Sequence, residues 1–152
     1  MSTNNIAFTA PINPADQIWA GLRLKIRSAE TFVPKAIQST TVISDSIDPT
    51  TGNEVTVREV VFVEGQRKVQ ETVTAYEPSR AVFIQPDGST IVNVVSEDAD
   101  GELHMTYTFE WRHPGASKDE LAAFLENEKK MSRMAVEGTI TVLRELAKNG
   151  KI

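Results

Sequence analysis

The chain has 152 residues, 40 % of them hydrophobic and 24 % charged, with a formal net charge of −5; this is the length of one domain, able to bury a core unaided. It has no cysteine and only two histidines, His104 and His113, which excludes disulfide scaffolds, thiol catalysis, zinc ribbons, iron–sulfur clusters and histidine-rich metal centres. An acidic balance with no run of Lys or Arg argues against nucleic acid as a partner.

The elements follow in chain order. Residues 4–10 read as a short strand. Asn13-Pro14 suits an N-cap followed by the first helical position, and Ile18, Trp19, Leu22 and Ile26 recur at helical spacing, so a helix is predicted over about 14–28. Lys25 and Arg27 near its end suit the negative pole of the helix dipole. A further helical turn is expected at 30–33, stopped by Pro34. Residues 36–46 and 54–63 read as strands about an Asp48-Pro49-Thr50-Thr51-Gly52 turn. Glu64-Gly65-Gln66 reverses the chain into a strand over 67–76, and Glu77-Pro78-Ser79 turns it into another over 80–85. Asp87-Gly88 is a hairpin signal before a strand over 89–97. The strand over 102–112 alternates cleanly, with Leu103, Met105, Tyr107, Phe109 and Trp111 on one face. Ser117 and Glu120 form a capping box for a helix over 118–148. Leu121, Phe124, Leu125, Met131, Ala135, Gly138, Thr139, Val142 and Leu146 are expected along its buried face, and Asn149-Gly150 stops it.

No apolar run approaches the ~18 residues of a membrane span, and Met1-Ser-Thr-Asn-Asn lacks the features of a secretory signal. A soluble, cytoplasmic protein of one domain is therefore expected. The short loops make the strands antiparallel neighbours. A sheet with one apolar face must cover it, and only the C-terminal helix, roughly 45 Å long at 1.5 Å per residue, is long enough. One helix cannot fill the concavity of a curved sheet, so a hollow between them is expected.

This order of elements resembles the helix-grip fold of the START and birch-pollen-allergen-like (SRPBCC) superfamily: an α+β domain in which a curved antiparallel sheet of about seven strands wraps a long C-terminal helix. The resemblance covers nearly the whole chain. It is carried by Ile18-Trp19-x-Gly21-Leu22, the Arg58 and Glu71 strand pair, Ile91-Val92-Asn93 and Thr108-Phe109-Glu110-Trp111-Arg112-His113-Pro114-Gly115, phrases similar to a fungal and bacterial branch of that superfamily. It implies a cavity between sheet and helix that binds lipids, sterols, alkaloid precursors or polyketides, in some relatives with cyclisation, dehydration or isomerisation. No catalytic residue of those enzymes maps onto this sequence.

The residues offer several candidates. Ala135, Gly138 and Thr139 are small residues mid-helix, and an interior glycine costs about 1 kcal/mol against alanine; either a ligand or a close packing neighbour offsets that. Glu71 shares the parity of Val69, Val73 and Ala75, an inward face. Arg58 is its natural partner, but its own parity is ambiguous. The rarity of buried charge favours an exposed cross-strand pair; an inward pair could hold a polar ligand group, with Glu71 moving a proton and Arg58 holding an oxyanion. Asn93 could hydrogen-bond a ligand or a loop. Tyr107 needs a partner for its hydroxyl if buried, and Trp19 belongs either to the core or to the cavity mouth. Glu97, Asp98 and Asp100 lack the spacing of a calcium loop and read as a solvated hairpin tip. No metal and no cofactor is expected. Two functions follow: binding of a small hydrophobic molecule in the cavity, or cofactor-independent isomerisation or cyclisation of a secondary metabolite there. Neither catalysis nor the oligomeric state is decided by the sequence.

Overall fold

The computed structural model describes residues 2–13 and 17–152. Seven strands are joined antiparallel: β1 (Thr3–Pro11), β2 (Ile37–Ile47), β3 (Glu54–Phe62), β4 (Lys68–Tyr76), β5 (Arg80–Ile84), β6 (Thr90–Glu97) and β7 (Leu103–Arg112). Their order across the sheet is β1-β7-β6-β5-β4-β3-β2. Helix α1 (Ile18–Arg27) and a 3-10 turn (Ala29–Thr31) separate β1 from β2, and α2 (Lys118–Lys148) ends the chain. This is the α+β, helix-grip architecture expected from the sequence. The expected start of α1 falls in 14–16, outside the described residues.

Consecutive strands β2 to β7 form a meander because each connection is too short to do anything else. The first strand has no neighbour in sequence and pairs instead with the last, from Thr3 opposite Arg112 to Pro11 opposite His104. β1 and β2 are thus the sheet's two edges. β2 has two register shifts, at Ile37/Ser39 and Val42/Ser44, bulges of the kind that bend an edge strand and sharpen its twist.

The inner face follows the period of two. Phe8, Tyr107, Asn93, Ala81 and Ala75 stand in one row across β1, β7, β6, β5 and β4. In the next row are Ile6, Phe109, Ile91, Phe83, Val73 and Thr56. The expected capping box is present: the Ser117 hydroxyl accepts from the Glu120 backbone N–H and the Glu120 carboxylate from that of Ser117. At the other end Gly150, at φ 69°, takes the left-handed conformation of a helix stop.

Helix α2 lies on β1 and β7. Asn4 ties it to the edge strand, its amide donating to the Leu121 carbonyl at 3.0 Å and to the Glu128 carboxylate at 2.9 Å. The helical face expected to be buried is displaced by about one residue. The packed stripe is Ser132, Val136, Thr139, Ile140 and Leu143, whereas Phe124 and Met131 are 42 % and 37 % exposed. Met131, Ala135, Gly138 and Val142 form the adjacent stripe, which faces the hollow beside the helix. Both stripes are apolar, so hydrophobic spacing alone merges them.

Helix α1 packs so closely on α2 that a methyl group at Gly21 would strike the fully buried Leu143 side chain. Overpacking a core costs about 1–3 kcal/mol, more than the ~1 kcal/mol that alanine gains over glycine in a helix. Gly21→Ala is therefore expected to lower the denaturant midpoint although it adds helix propensity; a raised midpoint would show that Leu143 repacks freely.

Candidate functional site

A cavity of about 1080 Å³ lies between the sheet and α2. Phe83, Ile91, Phe109 and Trp111 line it from the sheet, Phe32 from the segment after the 3-10 turn, and Met131, Ala135 and Gly138 from α2. The exposed residues Lys35, Arg67 and Phe124 also border it and mark its open side. Its wall carries a cluster of buried polar side chains, Lys25, Arg58, Glu71 and Tyr107, and elsewhere the His113–Glu128 pair at 3.1 Å and Ser132.

Arg58 and Glu71 are directly opposite in the β3–β4 register, and both point inward, 3 % and 2 % exposed. The exposed arrangement that the rarity of buried charge favours is thus not adopted. Thr56, Arg58 and Val60 are the inward residues of β3, while Val55, Val57 and Val61 are half-buried; valines on both faces concealed the parity. The guanidinium Nε and Nη2 donate to Glu71 Oε1 at 3.1 and 2.8 Å, and Gln85 donates to Glu71 Oε2 at 3.1 Å. Arg58 Nη1 donates to the carbonyls of Lys25 and Ile26 at 3.0 and 2.8 Å. These are among the last carbonyls of α1, which lack helical partners and carry the negative end of the dipole. Arg58 is therefore a clamp between sheet and helix, and its ring contact with Phe83, 4.9 Å to the centroid, fixes the plane of the fork.

The clamp carries Lys25, a residue that the sequence pattern explains by its place at the negative end of the helix dipole. It is 7 % exposed. Its amine donates to Asn93 Oδ1 at 2.7 Å and to the Tyr107 hydroxyl at 2.9 Å and sits 4.3 Å from the Tyr107 ring centroid. Tyr107 in turn donates to Thr139 Oγ1 at 3.0 Å, and Thr139 donates to the Ala135 carbonyl at 2.7 Å. Burial, aided by the neighbouring charge of Arg58 and opposed by Glu71, pushes the Lys25 amine down to about 7. Burial also raises the Tyr107 phenol, opposed by its bond to Thr139, so Tyr107 keeps its proton and remains a donor.

Of the residues named from sequence, Arg58, Glu71, Tyr107, Ala135 and Gly138 border the cavity. Asn93 and Thr139 stand behind its wall, each holding a residue that reaches it. Trp19 packs against both apolar clusters of the core and does not join the cavity wall. A Cβ on Gly138 would meet only the Phe32 carbonyl oxygen, at an ordinary 3.5 Å, so close packing does not require glycine there. Lys25 and Gln85 were missed. Lys25 had a signal: with Ile18, Leu22 and Ile26 it completes the i, i+4, i+7, i+8 stripe of a buried helix face. Near the hairpin tip, Asp98 accepts from the backbone N–H groups of Asp100 and Glu102 and pairs with His104 at 2.9 Å. It is satisfied within its own turn, as a solvated hairpin tip should be.

Two outcomes follow. Removing one member of a buried ion pair costs about 3–5 kcal/mol because the other charge is left alone. Arg58→Met is expected to lose that much in chemical denaturation, since it also strips the α1 carbonyls; a loss under about 1 kcal/mol would show that α1 does not depend on the clamp. The second outcome concerns pH. Below about 7 the folded and unfolded chains both hold the Lys25 proton, and the cost of its burial is borne in full. Between there and its ordinary 10.5 the unfolded chain binds more protons, so stability rises with pH, by about 1.4 kcal/mol per unit where the difference is complete. The unfolding free energy of the wild type minus that of Lys25→Met is expected to grow from pH 7 to pH 10; a flat difference would mean an ordinary, hydrated lysine.

The family model for AtaL, described as acetylaranotin biosynthesis cluster protein L, matches residues 6–150. Among solved structures the chain is similar to the di-domain ARO/CYC StfQ from the steffimycin biosynthetic pathway, with a TM-score of 0.63 at 8 % identity. The match covers 98 % of this chain and 52 % of that one, so the chain spans about half the length of that relative, and at this identity the likeness concerns the fold. No curated protein matches significantly. Among the described residues no helix is long and apolar enough to cross a membrane. With its helix-grip sheet and a match over nearly all its length, the chain belongs to the acetylaranotin biosynthesis cluster protein L family.

Proposed function

We propose that the chain binds a small, mainly apolar molecule of secondary metabolism in the cavity between sheet and α2, with an oxygen of that molecule turned to Lys25 and Tyr107. The observation that carries this reading is the cavity itself: about 1080 Å³, just above the usual range of ligand sites, with mainly aromatic and aliphatic walls and a few polar groups, among them the Lys25–Tyr107 cluster. Apolar walls supply affinity and a few placed donors supply orientation. Membership of a family named for a biosynthetic cluster, and the fold shared with an ARO/CYC protein, favour a secondary metabolite as the occupant. The same features support placing the chain in the START and birch-pollen-allergen-like superfamily.

A second reading, cofactor-independent isomerisation or cyclisation, is favoured by the Lys25–Tyr107 bond. An amine that titrates near neutrality can take a proton from carbon next to a carbonyl, and a protonated phenol beside it can stabilise the enolate oxygen. In this reading the chemistry moves from Glu71 and Arg58, whose hydrogen bonds are directed to each other, to Gln85 and to α1. Those two become positioning residues.

Native mass spectrometry compared with the denatured mass is expected to reveal a non-covalent small molecule, or uptake of an added apolar fluorophore at one site per chain. Gly138→Leu fills the cavity from its α2 side and replaces a poor helix former. It is expected to weaken fluorophore binding at least tenfold while leaving the thermal midpoint unchanged or raised. Undiminished binding by this variant would place the ligand elsewhere.

A further inference from the structure

We propose that Lys25 is a nucleophile that captures the carbonyl of an aldehyde or ketone ligand as an imine inside the cavity. This rests on the cavity reading above and adds a covalent mode of attachment and a ligand class.

The case begins with hydrogen-bond valence. A neutral amine has two N–H donors and one lone pair; an ammonium has three donors. Lys25 has two acceptors, Asn93 Oδ1 and the Tyr107 hydroxyl oxygen. A neutral amine satisfies both and keeps its lone pair. An ammonium would have a third N–H that, among the described residues, meets no third oxygen acceptor, only the ring faces of Tyr107 and Phe83 at 4.3 and 5.4 Å to their centroids, a cation–π attraction weaker than a hydrogen-bonded counterion.

The counterion is missing for the same reason. Glu71 is the acidic neighbour that acts on Lys25, and its oxygens are engaged, one by Arg58 and one by Gln85. The groups facing the amine are therefore Arg58 from β3, Glu71 from β4, Phe83 from β5, Asn93 from β6 and Tyr107 from β7, with Thr139 of α2 behind the phenol. A cation there is desolvated and sits beside another cation. These are the conditions that turn a lysine into a nucleophile. Lys25 borders the cavity, so a carbonyl carbon held by the apolar walls can reach it.

Tyr107 supplies the proton traffic. The amine nitrogen bonds to the carbonyl carbon, and one N–H proton passes to the alkoxide to give a carbinolamine. The C–O bond then breaks as the Tyr107 proton leaves its hydrogen bond to Thr139 for the departing hydroxyl, which leaves as water. The remaining proton on nitrogen returns to the Tyr107 oxygen. The sum is amine plus carbonyl giving imine plus water, with no oxidant or reductant. Thr139 holds the phenol oxygen in place, and Arg58 holds the backbone from which the lysine projects; both are positioning residues.

The test uses the wild-type protein, hexanal as probe and cyanoborohydride to make any imine permanent, with the alkylated lysine located by peptide mass spectrometry. At pH 7 Lys25 is expected to be alkylated at least tenfold faster than the exposed Lys118, Lys129 and Lys130 in the same molecules. Its rate should follow a half-titration near neutrality, while theirs climb toward pH 10. Gly138→Leu, which leaves Lys25 intact, is expected to abolish the preference for Lys25. Alkylation confined to the exposed lysines, with the apolar fluorophore still bound, would overturn the imine and leave the cavity reading standing. Loss of both would overturn both.

Discussion

The junction between Arg58 and the end of α1 is the constraint on which the site depends. A helix end needs partners for its last carbonyls, and a buried guanidinium needs acceptors for its fork. Each requirement meets the other here: Arg58 donates to the Lys25 and Ile26 carbonyls with one nitrogen and to Glu71 with two. A buried charge pair is expensive to assemble, and apolar residues in its place are often as stable or more so. Its value lies in geometry. The planar fork fixes α1 in register with β3, and with α1 it fixes the side chain of Lys25. Residues of five strands and two helices thereby meet within a few ångströms, although the amine and its acceptors are far apart in sequence.

The hollow has an equally plain origin. α2 is one helix, about 10–12 Å across with its side chains, and it lies on the β1–β7 edge. The sheet continues through five more strands. α1 covers part of that surface, and the rest faces α2 across open space. The 131-135-138-142 stripe that borders this space is apolar but unpacked, and Gly138 sits in it without a neighbour that demands glycine. Sequence under selection for stability alone would place alanine there, for a gain of roughly 1 kcal/mol. Room beside the helix is the reason that remains.

Most of the scaffold was legible in the sequence because its signals are local. The period of two in 102–112, the Asp87-Gly88 hairpin, the Ser117/Glu120 box and the Gly150 stop each depend on residues a few positions apart. The pairing of β1 with β7 was not legible in the same way, since nothing local in residues 4–10 specifies a partner a hundred residues on. The site was legible in part. Glu71 and Tyr107 follow their strands' alternation, but Arg58 lies in a strand with valine on both faces, and there the general rarity of buried charge pointed the wrong way. Lys25 was hidden by a different conflict. The helix-dipole rule gives a basic residue in the last turn a sufficient reason to be there, and that reason masked the stripe it shares with Ile18, Leu22 and Ile26. Gln85 matters only through its bond to Glu71, and no pattern in one dimension announces such a contact.

That conflict bears on how the site is to be dissected. Arg58 is both the clamp that orients α1 and a positive charge that holds the Lys25 amine toward its neutral form. Glu71 anchors Arg58 and acts on the amine in the opposite sense. A change in either alters fold and electrostatics together, so a loss of function there would not separate chemistry from collapse. Tyr107 and Gly138 differ in this respect. The phenol oxygen takes part in two hydrogen bonds, one to the amine and one to Thr139, and belongs to no ion pair; the Gly138 position tolerates added carbon atoms on the cavity side. The polar cluster thus divides into a structural half, Arg58 with Glu71 and Gln85, and a half turned to the cavity, Lys25 with Tyr107. The first half fixes the Lys25 side chain in place, in an interior whose low dielectric disfavours its charged form.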